Sequence, residues 1–166
     1  MSRAWGPRLH ARKQNSHLAI LRSVRATLIP EPSVNKNFLM ATIAGGITLW
    51  VLGFLIYGVL LADFFANDAI NPEPIMWAVT LGQLLSAAFL TIILGWKGVA
   101  NAKEGFQAGA IVGAVMGLAF GLMMYGTMVG MHTIATLIGD TVVSLVVYGI
   151  GGAVIAMALN RGGAEA

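Results

Sequence analysis

Four long apolar stretches divide this chain of 166 residues: Phe38 to Ala62, Ile75 to Trp96, Phe106 to Met131 and about Ile134 to Leu159. Each is continuously apolar instead of alternating, and each is long enough to cross a bilayer as a helix, which takes roughly 20 residues. A membrane barrel would need many more segments of about ten residues with alternating character. The pattern therefore predicts an all-α membrane protein, with four transmembrane helices in one bundle. Between the first two spans, Asn71-Pro72-Glu73-Pro74 ends any helix, because proline lacks the helical N–H and restricts the residue before it.

Span three carries glycine at every fourth position: Gly105, Gly109, Gly113, Gly117 and Gly121. Small residues at this spacing let a neighbouring backbone approach closely, a main source of helix association where lipid removes most of the hydrophobic drive. The row predicts a glycine-zipper third helix. Each four-residue step turns about 40°, so the row drifts about 160° and can serve two neighbours, which suggests a central helix. Packing inside one bundle is the first expectation, and a homo-oligomer or a membrane-protein partner on the glycine face is the second. Span four offers Gly149, Gly152 and Ala156 as a facing surface, and span one offers Ala41, Gly45 and Gly53. At an offset of 68 residues, Phe38, Ile43, Gly45, Gly53, Tyr57 and Gly58 match Phe106, Ile111, Gly113, Gly121, Tyr125 and Gly126. This is the pattern of a parallel internal repeat, or of register selection in a glycine-rich chain.

Composition agrees with the spans. Apolar residues make up 57% and charged residues 10%, with a mean hydropathy of +0.79, where soluble domains carry roughly 25% charge. The bilayer is the expected partner and solvent. All ten Lys and Arg fall on one side of the four-span pattern: seven before span one, Lys97 and Lys103 between spans two and three, and Arg161 after span four. The other side holds Asp63, Asp68, Glu73 and His132. By the positive-inside rule both termini are expected in the cytoplasm, with Trp77 and Trp96 at opposite interfaces of span two. The excess of positive charge then reflects membrane orientation, and nucleic acid is not expected as a partner.

Three regions are expected: a basic N-terminal extension at 1–33, the transmembrane domain at 34–160 and a short cytoplasmic tail at 161–166. In the extension, Leu18, Leu21, Val24 and Leu28 follow helical spacing. A disordered or misassigned extension, with Val34 as the natural start, leads here; an interfacial amphipathic helix and an Arg-rich transit peptide follow.

The Gly53-Phe54-Leu55-Ile56-Tyr57-Gly58 ending of span one, the acid-rich loop after it and the glycine-rich third span with Tyr125-Gly126 resemble uncharacterised families of small four-helix bacterial inner-membrane proteins. The resemblance covers residues 34 to 160 and implies a multi-pass protein of the bacterial cytoplasmic membrane. It brings no active site with it. Small multidrug-resistance exporters share the length and span count but carry a glutamate inside the first helix, and here no acid lies between Phe38 and Ala62.

Absences narrow the chemistry. The chain has no cysteine and only His10, His17 and His132, so thiol redox chemistry, thiolate metal sites and an in-span haem or metal pair are not expected. No cofactor is called for, and an enzyme ranks last. What remains is a polar layer toward the acidic side. Tyr57, Gln83, Tyr125 and Asp140 lie six to eight residues from their span ends, or about 9 to 12 Å deep. With Asp63 and His132 near the mouth, this layer can bind a small ligand, lipid headgroup or cation. The bland alternative is that Gln and Tyr only bond neighbouring helices and that Asp63 is an interfacial acid. Asp140 itself has two readings: an embedded acid if span four starts near Ile134, or an N-cap if the helix starts at Asp140. The leading functional expectation is a structural or accessory subunit, with a small transporter or channel-like protein as the alternative.

Overall fold

The computed structural model describes residues 36–68, 70–128 and 133–161. Among the described residues there are helices and no strands. Helix α1 (Lys36–Gly53) runs directly into a π-helical segment, Phe54–Leu60, followed by the short α2 (Ala62–Phe65), then α3 (Met76–Lys97), α4 (Ala102–Thr127) and α5 (Ile134–Asn160). Four helices, the first of them α1 with its π extension, are long and apolar enough to cross a membrane. The helix expected through Leu18 to Leu28 and the tail at 162–166 lie outside the described residues, as does His132.

Local chemistry sets the helix ends. Gly98 closes α3 in the left-handed conformation at φ 65°, its amide bonding the Gly95 carbonyl while Val99 bonds Leu94. That pair of bonds is a Schellman closure, which glycine adopts without a Cβ penalty. Asn101 caps α4 by accepting from the Glu104 amide, and the Glu104 carboxylate accepts from the Ala100 amide and the Asn101 side chain. These caps start α4 at Ala102, four residues before the apolar run expected from Phe106, and the helix ends at Thr127 instead of Met131. Capping acts on backbone N–H groups and does not require apolar residues.

The spans alternate in direction. Asn160, at the end of α5, donates to the Val99 carbonyl at 3.0 Å in the α3–α4 turn, and Ala41, Leu94, Val99, Ala108 and Ile155 form one buried cluster there. Lys36, Lys97, Lys103 and Arg161, the bases among the described residues, stand at the ends of helices on this side. Asp63, Asp68 and Glu73 lie at the other end.

Helix α5, and not α4, is the central one. It touches α1, α3 and α4, whereas α4 meets α3 only slightly. All five glycines of the row face α5. A Cβ at Gly105, Gly109 or Gly113 would fall on the carbonyl oxygen of Gly152, Tyr148 or Ser144, and one at Gly117 would lie 2.9 Å from the Ser144 side chain. Gly121 faces Leu137. The drift expected around α4 is absorbed by inclination: four-residue rows run at about 26° to the helix axis, so an inclined neighbour stays over one row throughout. The α5 contacts at 137, 141, 144, 148, 152 and 156 follow nearly the same spacing. One residue away, about 100° round α5, Gly151 receives Leu49 and Ile155 meets Gly45 of α1.

Candidate functional site

The π segment holds the first component. Its wider turn shows in the Leu61 amide bonding the Ile56 carbonyl, five residues back, at 2.8 Å. π turns recur at functional sites because the extra residue re-aims side chains beyond the reach of a regular helix. Tyr57 sits inside this segment, half-buried, with its ring 4.9 Å from that of Phe65. Its hydroxyl donates to Asp140 Oδ1 across to α5 at 2.5 Å.

Asp140 does not cap its helix. Thr133 does, accepting from the Thr136 amide while the Thr136 hydroxyl accepts from the Thr133 amide. The reciprocal pair satisfies two first-turn donors without an acid, so α5 begins at Ile134 and the capping reading of Asp140 is overturned. The carboxyl group lies six residues into the helix, about 9 Å from its start. It begins an i, i+4 row with Ser144 and Tyr148, all on one face of α5.

Two clefts border this row. One, of about 300 Å³, lies among α1, α3 and α5 and is lined by Gly53, Tyr57, Gln83, Ser86, Ser144 and Tyr148 with apolar neighbours. The other, of about 420 Å³, lies among α3, α4 and α5 and is lined by Ser86, Asp140, Ser144 and Tyr148 on its polar side and by Leu85, Phe89, Met116 and Phe120. Both volumes fall within the range of small-ligand sites. Ser86, Ser144 and Tyr148 are shared by the two, and the Tyr57–Asp140 bond links a residue lining the first to a residue lining the second. A third cleft, at Gly46, Ile47, Trp50, Val51, Thr80 and Leu84, is almost wholly apolar and holds no ionisable group.

The site is polar by exception within its surroundings. The hydroxyls of Thr48, Thr91 and Thr141 return to carbonyls four residues back in their own helices, which satisfies them locally. Tyr57 and Asp140 instead bond each other between spans. Asp140 Oδ2 accepts no hydrogen bond from any described residue, and the described bases all stand at the opposite end of the helices.

Of the residues expected in the polar layer, Tyr57, Gln83 and Asp140 come together around these clefts. Tyr125 lies outside them, 48% exposed on α4. Asp63 is exposed in α2. Sequence reasoning missed Ser86, Ser144 and Tyr148, although the last two stand four and eight residues beyond Asp140, a spacing that places them on its face. The glycine row also bears on the site, because Gly113 and Gly117 are what let Ser144 and Tyr148 sit against α4. Among the described residues, no group of three His, Cys, Asp or Glu is placed to hold a metal ion. No family model, curated protein or solved structure matches the chain.

Proposed function

We propose that this chain is a multi-pass protein of the bacterial cytoplasmic membrane, with both termini inside, that binds a small ligand at an outer-side site within the membrane, as a small transporter does. The segregation of bases to one end of the helices supports the orientation. Helix α4 serves as a glycine zipper that holds α5, and with it Asp140, Ser144 and Tyr148, in place. The observation that carries the functional reading is the cleft beside Asp140, where an acid with a single donor among the described residues meets two serines and a tyrosine. An embedded acid is expensive to keep in a span and characteristically faces the bundle interior or a cavity, where it marks a ligand, ion or proton path. A purely structural or accessory subunit needs no such cleft.

The orientation predicts that a reporter fused after Arg161 is cytoplasmic and one inserted at Asn71 is external. The reverse labelling would overturn it. The site itself is tested by thiol chemistry, for which a chain without cysteine is a clean background. In Ser86→Cys, a small water-soluble methanethiosulfonate applied from the outer side is expected to label the half-buried cleft position. Leu90→Cys, fully buried one turn further along α3, is expected to stay unlabelled. If the two react equally slowly, the binding reading gives way to the accessory one.

A further inference from the structure

We propose that the cleft between α3 and α4 admits a lipophilic organic cation from the outer leaflet, its charge at Asp140 and its apolar body between the two helices. The proposal rests on the ligand-binding reading of this cleft and adds the chemical class and the route. Three observations carry it.

The first is the gap. Helices α3 and α4 barely meet, since α4 is held by α5 through the glycine row and α3 packs mainly on α1. The resulting cleft is rimmed by Leu85, Phe89 and Phe120, which are 62%, 46% and 52% exposed on the surface that faces lipid. A ligand approaching through this rim comes from the bilayer and needs an apolar body to do so. The second is the floor. Behind the apolar rim stand Asp140, Ser86, Ser144 and Tyr148, so the cleft is graded from hydrocarbon-like to polar with depth, matching an amphiphile.

The third is charge. Asp140 has Tyr57 as its only described donor, leaving Oδ2 unbonded, and the described bases lie at the far end of the bundle. The missing complement is a positive charge. One carboxylate is too few for a calcium ion, which takes six to eight oxygen ligands, several of them charged or carbonyl. A single organic cation, whose charge is spread and weakly hydrated, suits one carboxylate beside aromatic side chains such as Phe89 and Phe120.

The test uses the full-length protein in lipid nanodiscs and equilibrium binding of radiolabelled tetraphenylphosphonium, with protein-free discs subtracted. Saturable binding is expected, weakened about tenfold or more by Asp140→Asn, as loss of a charged contact should do. Tetraphenylborate, the same shape with opposite charge, is expected not to displace the probe, and neither is tetramethylammonium, which has the charge without the apolar body. Displacement by tetraphenylborate as good as by unlabelled cation would overturn the charge assignment, as would undiminished binding in a folded Asp140→Asn. The comparison of the two tetraphenyl ions needs no variant and decides the matter if Asp140→Asn does not fold. Equal displacement by tetramethylammonium would overturn the route through lipid. Labelling of Ser86→Cys with no phosphonium binding would sink this proposal while leaving the ligand site standing; failure of both would remove the two together.

Discussion

Leucine at Gly113 is expected to lower the stability of the fold sharply, whereas leucine at Gly126, in the same helix, is expected to be tolerated. A Cβ at Gly113 would fall on the Ser144 carbonyl oxygen and 2.6 Å from the Tyr148 Cβ, while one at Gly126 meets nothing within 4 Å. The clash at Gly113 is with backbone, which cannot swing aside as a side-chain end can. Overpacking typically costs about 1–3 kcal/mol, and more where the backbone must move. A ratio of folded to unfolded protein about tenfold or more lower is therefore expected for Gly113→Leu in reversible unfolding from mixed micelles. Because Ser144 and Tyr148 line both clefts, separation of α4 from α5 would also dismantle the site. Equal stability of Gly113→Leu and Gly126→Leu would show that the row does not hold the two helices together.

The second large effect belongs to the bond between spans. Tyr57→Phe removes the one described donor to Asp140, at a cost of about 1.5–3 kcal/mol for a hydrogen bond to a carboxylate. Asp140→Asn retains an acceptor oxygen for the phenol and is expected to change stability by less than about 1 kcal/mol, given the modest average strength of hydrogen bonds between membrane helices. In an Asp140→Leu background the phenol has lost its acceptor, so Tyr57→Phe is expected to cost little there. The double-mutant cycle reads the difference directly. A Tyr57→Phe penalty that is the same with aspartate or leucine at 140 would mean that the bond does not stabilise the fold.

The spans were readable because hydropathy over about 20 residues reports directly on the cost of burying backbone and side chains in lipid. Span one was expected from Phe38 and begins at Lys36, and span four was expected from Ile134 and begins there. Span three shifted because its start is set by Asn101 and Glu104, polar residues that hydropathy discounts but that satisfy helical N–H groups. The glycine spacing was visible, yet not which helix would cover it, since that depends on inclination between helices and not on either sequence alone. Tyr57 and Asp140 were placed at similar depth by counting residues from the span ends. Their bond was not visible, because it depends on the π turn between Phe54 and Leu60, for which Phe-Leu-Ile-Tyr-Gly-Val-Leu carries no local signal. Asp140 admits both a cap and an embedded-acid reading from sequence because acids also favour first turns. The Thr133–Thr136 pair that settles the choice lacks the Glu or Gln of a usual capping box and so leaves little mark in the sequence.

The central claim, that Asp140 stands in an accessible cleft and not in a dry helix contact, is open to direct measurement. The chain has three aspartates, Asp63, Asp68 and Asp140, so aspartate labelled with ¹³C at the carboxyl carbon gives three resonances, and Asp140→Asn identifies the third by its loss. In water-edited solid-state NMR of the protein in bilayers, magnetisation passes from mobile water to carbons in contact with it. Asp63 and Asp68 are exposed beyond the end of the first long helix and serve as internal references. The Asp140 carboxyl is predicted to gain water magnetisation at mixing times comparable to theirs. An Asp140 signal that stays dark while the other two build up would contradict the account.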